Sequence, residues 1–163
     1  TYNRWYFYLA VWLLGSVLVS GSVYDHVKKN NIEAYKIVTT SMEPVVLKGD
    51  RVFADKTAYT RVAPKRGDII VFVYPDDRSK TFIRRIEGMP GEMITLTDGK
   101  KEQVPHGMIY VLGENKEKSV DSREFGFIPL RDIIGKVRQI YYSSEDDGIR
   151  WNRIGAALGQ SRS

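Results

Sequence analysis

The sequence has no cysteine and only two histidines, His26 and His106. The first absence excludes disulfides, thiolate-bound zinc and a thiol nucleophile. The second leaves no histidine pair at metal-ligand spacing, so no metal and no cofactor is expected. Neither histidine lies near a plausible partner acid, so a Ser-His-Asp triad has little support. Both read as surface residues. A phosphate-binding loop is missing too, since Gly88–Glu92 (GMPGE) lacks the Gly-Lys-Ser/Thr ending. There is no internal repeat.

Charge of one sign is not concentrated anywhere. The 163 residues carry 25 Lys+Arg against 20 Asp+Glu, a formal charge of +5, with acids and bases interleaved. No recognition helix or zinc-finger pattern accompanies the bases, so nucleic acid is not an expected partner. A basic balance also suits an anionic membrane lipid surface. With 42% hydrophobic and 28% charged residues, the chain is long enough and apolar enough to bury a core.

From Trp5 to Tyr24 there is no charged residue over 20 positions. As a helix this spans about 30 Å, the thickness of a bilayer core. Trp5, Tyr6, Phe7, Tyr8 and Trp12 crowd one end and Tyr24 closes the other, as interfacial aromatics do. The run exceeds the apolar core of a cleaved secretory signal, and no small-x-small site follows it. Residues 1–30 are therefore read as a retained transmembrane anchor, against the alternative of a removed signal. Flanking charges, Arg4 on one side and Lys28 and Lys29 on the other, do not set its orientation.

Beyond Asn31 short apolar runs alternate with turn signals. Strands are expected at Arg51–Ala54, Asp68–Val73, Thr81–Ile86, Met93–Leu96, Met108–Leu112 and Ile133–Tyr142, all rich in Val, Ile, Phe and Tyr. Lys48-Gly49-Asp50, Lys65-Arg66-Gly67, Pro75-Asp76-Asp77 and Met89-Pro90-Gly91 are turns, and Asp98-Gly99 suits a two-residue hairpin. No long segment has helical periodicity. A mainly β domain over 31–142, a curled sheet or open barrel, is expected. A basic C-terminal tail occupies 143–163. Within it Ser143–Gly148 (SSEDDG) reads as a loop. Ile149–Ala157 reads either as an amphipathic element on the membrane or as a strand or terminus.

One serine stands out by its context. Ser41-Met42-Glu43-Pro44 runs on to Gly49-Asp50 (SMEPVVLKGD). In the same order follow Arg66–Phe72 (RGDIIVF), Phe82–Glu92 (FIRRIEGMPGE), and Gly113-Glu114-Asn115 leading to Ser119–Gly126 (SVDSREFG). Each stretch alone is weak. Together, in this order and behind an anchor, they resemble the conserved boxes of the type I signal peptidases. That resemblance covers about residues 5 to 155.

The resemblance implies a membrane-bound serine endopeptidase that removes signal peptides from exported preproteins. Its domain would be a signal-peptidase-like β-sheet with one N-terminal transmembrane α-helix. Ser41 would be the nucleophile, with its own N–H and the Thr39 hydroxyl holding the oxyanion. Ser119 would orient the base, and Asp121 and Arg123 would form a supporting ion pair. Ile37, Met42 and Ile83 would line small side-chain pockets for a substrate added as an extended strand. The implied location is a bacterial inner membrane, single-pass, with the β domain on the periplasmic side. Self-cleaving repressors share serine–lysine chemistry, but the apolar segment and the lack of a DNA-binding module argue against them.

One position departs from the pattern. The family's general base is a lysine, and its place is held here by Arg84. Lysine starts near a pKa of about 10.4 and burial brings it toward neutrality. Arginine starts at about 12.5 or higher and stays charged. Lys80 lies four residues away, roughly 13 Å along a strand at about 3.3 Å per residue, beyond its side-chain reach without a bend. Lys36 and Lys48 flank the serine in sequence only. Three explanations stand: a homologue without peptidase activity, an engineered Lys→Arg form, or an enzyme using a different base. The first makes the chain an accessory subunit whose partners are other subunits of a membrane complex.

Overall fold

A computed structural model describes Trp12, residues 32–145 and residues 148–158 of the chain. The expected anchor at 5–24 lies outside the described residues apart from Trp12. Among the described residues no helix is long and apolar enough to cross a membrane.

The domain is mainly β. Ten strands follow in order: β1 (Ile32–Lys36), β2 (Asp50–Asp55), β3 (Ile69–Val73), β4 (Thr81–Gly88), β5 (Met93–Thr95), β6 (Lys101–Gln103), β7 (Met108–Leu112), β8 (Ile128–Pro129), β9 (Ile133–Glu145) and β10 (Gly148–Ile149). A single helical turn, α1 (Ser122–Phe125), separates β7 from β8. The main sheet runs β1-β2-β9-β3-β4-β7-β8, with β10 on β9, and every pairing is antiparallel. The path is open: β1 pairs with β2 and β8 with β7. β5 and β6 form a separate hairpin.

The central strand explains its own sequence. Ile69 and Val71 enter one apolar cluster with Ile37, Met42, Val52 and Val137. Ile70 and Phe72 enter another with Ile86, Ile109, Val111 and Ile128. A strand buried on both faces has no polar face to alternate, which is why Ile69–Val73 is uniformly apolar. β9 is long enough to serve β2 and β3 together, and irregularities at Arg51/Val52, Phe53/Ala54 and Val71/Phe72 bend it between them. Gly135 allows the close approach, because a Cβ there would lie 2.8 Å from the Asp55 carbonyl oxygen.

Three local readings are corrected. The turn at Asp98-Gly99 is a three-residue loop, closed by Leu96 N–H donating to the Lys100 carbonyl at 2.8 Å, with Gly99 at φ 82. The stretch read as a loop at Ser143–Gly148 contains the end of β9 and the start of β10. Arg150 and Arg153 do not face outward from an amphipathic element; they turn in to the buried Asp50, and Leu158 joins the core. Four strands carried too little apolar pattern to read: β1 and β6 are largely exposed, and β8 and β10 are two residues each.

Candidate active site

The segment that carries Ser41 is anchored before and after it. β1 continues past its end, since Ile37 N–H donates to the Asp50 carbonyl at 2.8 Å and the Ile37 carbonyl accepts from Gly49 N–H at 2.9 Å. A tight turn follows, in which Val46 N–H donates to the Met42 carbonyl at 2.8 Å. Met42 and Val46 are buried in the core and pin that turn. The Ser41 carbonyl is held from the other side by Asn115 N–H at 3.0 Å. Ser41 is 3% exposed, and its hydroxyl lies 3.0 Å from the Thr39 Oγ1.

Ser41 lines a cavity of about 370 Å³ together with Ile37, Thr39, Met42, Ile83 and Arg84. Six residues singled out in the sequence thus share one cleft. Its two flanks are strand edges. Among the described residues β1 pairs on one side only. β4 pairs with β3 along Thr81–Arg85 but with β7 only from Arg85 onward. Ile86 exchanges both backbone hydrogen bonds with the β3 side, accepting from Gly67 and donating to Asp68. By alternation the N–H and C=O of Ile83 and Thr81 face the other, open side.

Arg84 reaches into this space. It is 6% exposed, and its guanidinium lies 5.1 Å from the centre of the Phe82 ring. Nε and Nη2 donate to the Val120 carbonyl at 3.0 and 2.7 Å, and Nη1 donates to the Ile83 carbonyl at 2.6 Å. Burial pulls its pKa down to about 10, against the opposing pull of Asp121 and Glu124. Lys80 also lines the cleft, but its ammonium is paired with Asp77 at 2.8 Å. Lys48 lies outside the cleft, while Lys36 and Lys118 are on its wall.

Ser119 sits behind the cleft against Gly113, where any Cβ would be 2.0 Å from its hydroxyl oxygen. That hydroxyl is buried and makes no well-formed hydrogen bond, but it helps hold the charge of the Asp121 carboxyl. Asp121 and Arg123 form a two-pronged pair at 2.8 Å for each contact. Asp121 also accepts from Gly113 N–H at 2.9 Å and caps α1 through Arg123 N–H at 3.2 Å. Burial pushes the Asp121 carboxyl up, but Arg123 and the Gly113 N–H outweigh it and hold the group below its ordinary value. The pair therefore ties the Ser119 loop to β7 and does not face the cavity.

A family model described as signal peptidase, peptidase S26, matches residues 11–100 and 96–142. The chain belongs to the S26 signal peptidases. A probable signal peptidase I-1 from Synechocystis sp. is 29% identical over 149 residues, 74% of this chain and 74% of its own length. The signal peptidase I of Leptolyngbya laminosa is 33% identical over 134 residues, covering 64% of this chain and 66% of that protein. A solved signal peptidase I from Enterococcus faecalis aligns at 27% identity with a TM-score of 0.40, over 45% of this chain and 95% of that one.

Sequence reading missed several contributors to this cleft. The Val120 carbonyl is a backbone group and leaves no side-chain signal. Lys118 and Lys36 look like ordinary surface lysines in sequence. Gly113 is readable as the start of a box, but its clearance for Ser119 is a packing fact.

Proposed function

We propose that this chain is a membrane-anchored serine endopeptidase of the signal peptidase I type, removing signal peptides from exported preproteins. The observation that carries the reading is the buried Ser41 hydroxyl, 3.0 Å from Thr39 Oγ1, in a cleft bounded by two open strand edges. A preprotein enters as an extended strand, using the Thr81 and Ile83 backbone groups. Ile37, Met42 and Ile83 limit the side chains that fit. Ser41 attacks the scissile carbonyl, and the Ser41 N–H and Thr39 hydroxyl receive the oxyanion. Residues 1–30 hold the enzyme in a bacterial inner membrane in a single pass. The β domain, 31–142, and the tail, 143–163, lie on the periplasmic side.

The proton of Ser41 must go to a base, and Arg84 holds the base position. Only its neutral form accepts a proton. With a pKa of about 10 that form is roughly one molecule in three hundred at pH 7.5. Turnover at neutral pH is accordingly slow. A second reading follows from the same contacts: with Arg84 committed to the Val120 and Ile83 carbonyls, the chain serves as a non-hydrolysing subunit of a membrane complex that binds signal peptides.

Incubating the full chain, in detergent or vesicles, with a preprotein and mapping the products by mass spectrometry tests the enzyme reading. Slow cleavage after a small-x-small motif, lost in Ser41→Ala, is expected. Cleavage that survives Ser41→Ala removes Ser41 as nucleophile. Absence of cleavage at every pH, with peptide binding intact, leaves the subunit reading.

A further inference from the structure

Among the described residues Arg84 is a buried cation without a counter-ion in contact. Its three recorded hydrogen bonds all go to neutral carbonyls. The nearby acids are engaged or outside: Asp121 is taken by Arg123, Glu114 by Arg85, and Glu124 is exposed. A guanidinium has five N–H donors. Three are used here, which leaves two. Buried charges in proteins are normally paired, because a desolvated charge facing only neutral groups is costly.

The surroundings point the same way. The cleft is lined by Lys36, Lys80, Lys118 and Arg84 and by no carboxylate, with Lys80 alone paired, to Asp77. Spare donors and unbalanced positive charge together make a site for an anion.

Strand geometry selects which anion. A peptide added along the open edge of β4 can run beside Thr81 and Ile83, but at Arg85 that edge is taken by Leu112 of β7. An added strand that ends there ends beside Arg84. We infer that Arg84 holds the C-terminal carboxylate of a peptide lying in the Ser41 cleft, as on the signal peptide released by cleavage. This rests on the cleft being a peptide site. It makes the cleaved signal peptide a retained ligand, one that competes with intact preprotein.

Two fluorescent peptides of one sequence, ending in Ala-x-Ala, test it: one with a free carboxylate, the other with a terminal amide. Binding to the full-length Ser41→Ala chain is read by fluorescence anisotropy, at low and high salt. The free acid should bind about tenfold or more tighter, the range of a charge-assisted pair. The preference should disappear in the Ser41→Ala/Arg84→Met chain and persist with Arg84→Lys. Equal binding of acid and amide to the Arg84 chain overturns the inference and leaves the peptide cleft standing. Failure of both peptides to bind overturns the cleft reading as well. The acid–amide comparison needs no Arg84 variant, so it decides the matter even if Arg84→Met does not fold.

Discussion

Arg84 Nη2 donates to the Val120 carbonyl at 2.7 Å, one residue beyond Ser119. The guanidinium is held by backbone acceptors rather than by Ser41, with which it shares a cavity. Lysine at this position has a single ammonium and a lower starting pKa. Arg84→Lys should therefore raise the preprotein cleavage rate at pH 8 by about 10²-fold or more, the usual contribution of a competent general base. The unmutated chain should instead gain about tenfold per pH unit up to the Arg84 pKa of about 10. Initial rates between pH 7 and 10.5 check both. An unchanged rate in Arg84→Lys would place the base elsewhere.

Thr39 is exposed, so its truncation should leave the fold alone while removing the one hydroxyl beside Ser41. If it receives the oxyanion, Thr39→Ala should lower kcat by about 10²-fold with little change in KM, and Thr39→Ser should keep most activity. Melting temperature serves as the control. A kcat that does not move makes the contact incidental.

Asp50 is fully buried and accepts from Arg153 at 2.7 Å, from Ser143 at 2.6 Å and from Leu47 N–H at 2.9 Å. Arg153 also reaches the Val45 carbonyl at 2.9 Å, so the C-terminal segment grips the turn that carries Ser41. Arg153→Ala leaves the buried carboxylate with only Arg150 at 3.6 Å as a charged partner and should cost about 2–3 kcal/mol, a fall in melting temperature on the order of 10 °C. Burial pushes Asp50 up, but these partners hold it below its ordinary 3.8. Below that value the unfolded chain binds more protons than the folded one, so stability falls as pH falls. Thermal scans should be flat from about pH 7 to 5 in this respect and drop below about pH 4. Asp50→Asn should start less stable and show a shallower acid slope.

Gly113 has room for nothing larger. A Cβ there would lie 2.0 Å from Ser119 Oγ and 2.7 Å from the Ser41 carbonyl oxygen. Gly113→Ala should destabilise by about 1–3 kcal/mol, the range for overpacking, and push the Ser119 loop off the Ser41 turn. Urea melts measure the first effect. Loss of the acid–amide discrimination described above reports the second.

Much of the scaffold was readable because its signals are local. The run Ile69–Val73 is uniformly apolar because it is buried on both faces, and the turn residues around it mark where strands stop. The order of the boxes at Ser41, Arg66, Phe82 and Gly113 was enough to point to the family, since each box is a fixed run of residue types. β1 was not readable, because an edge strand with exposed Ile32, Glu33 and Lys36 has no pattern to distinguish it from a loop.

By itself the sequence determined a β-rich chain whose boxes resemble those of the S26 signal peptidases, with Ser41 and Arg84 where that resemblance puts a nucleophile and a lysine base. Those facts are residue identities and spacings, and folding cannot change them. Only the tertiary structure decided where the arginine's donors go. Val120 lies 36 positions away, and its carbonyl meets Arg84 only because β4 and the loop after β7 pack together. Likewise, that the open edge of β4 ends at Arg85 depends on where β7 begins to pair, a register set by long-range contact rather than by any local signal.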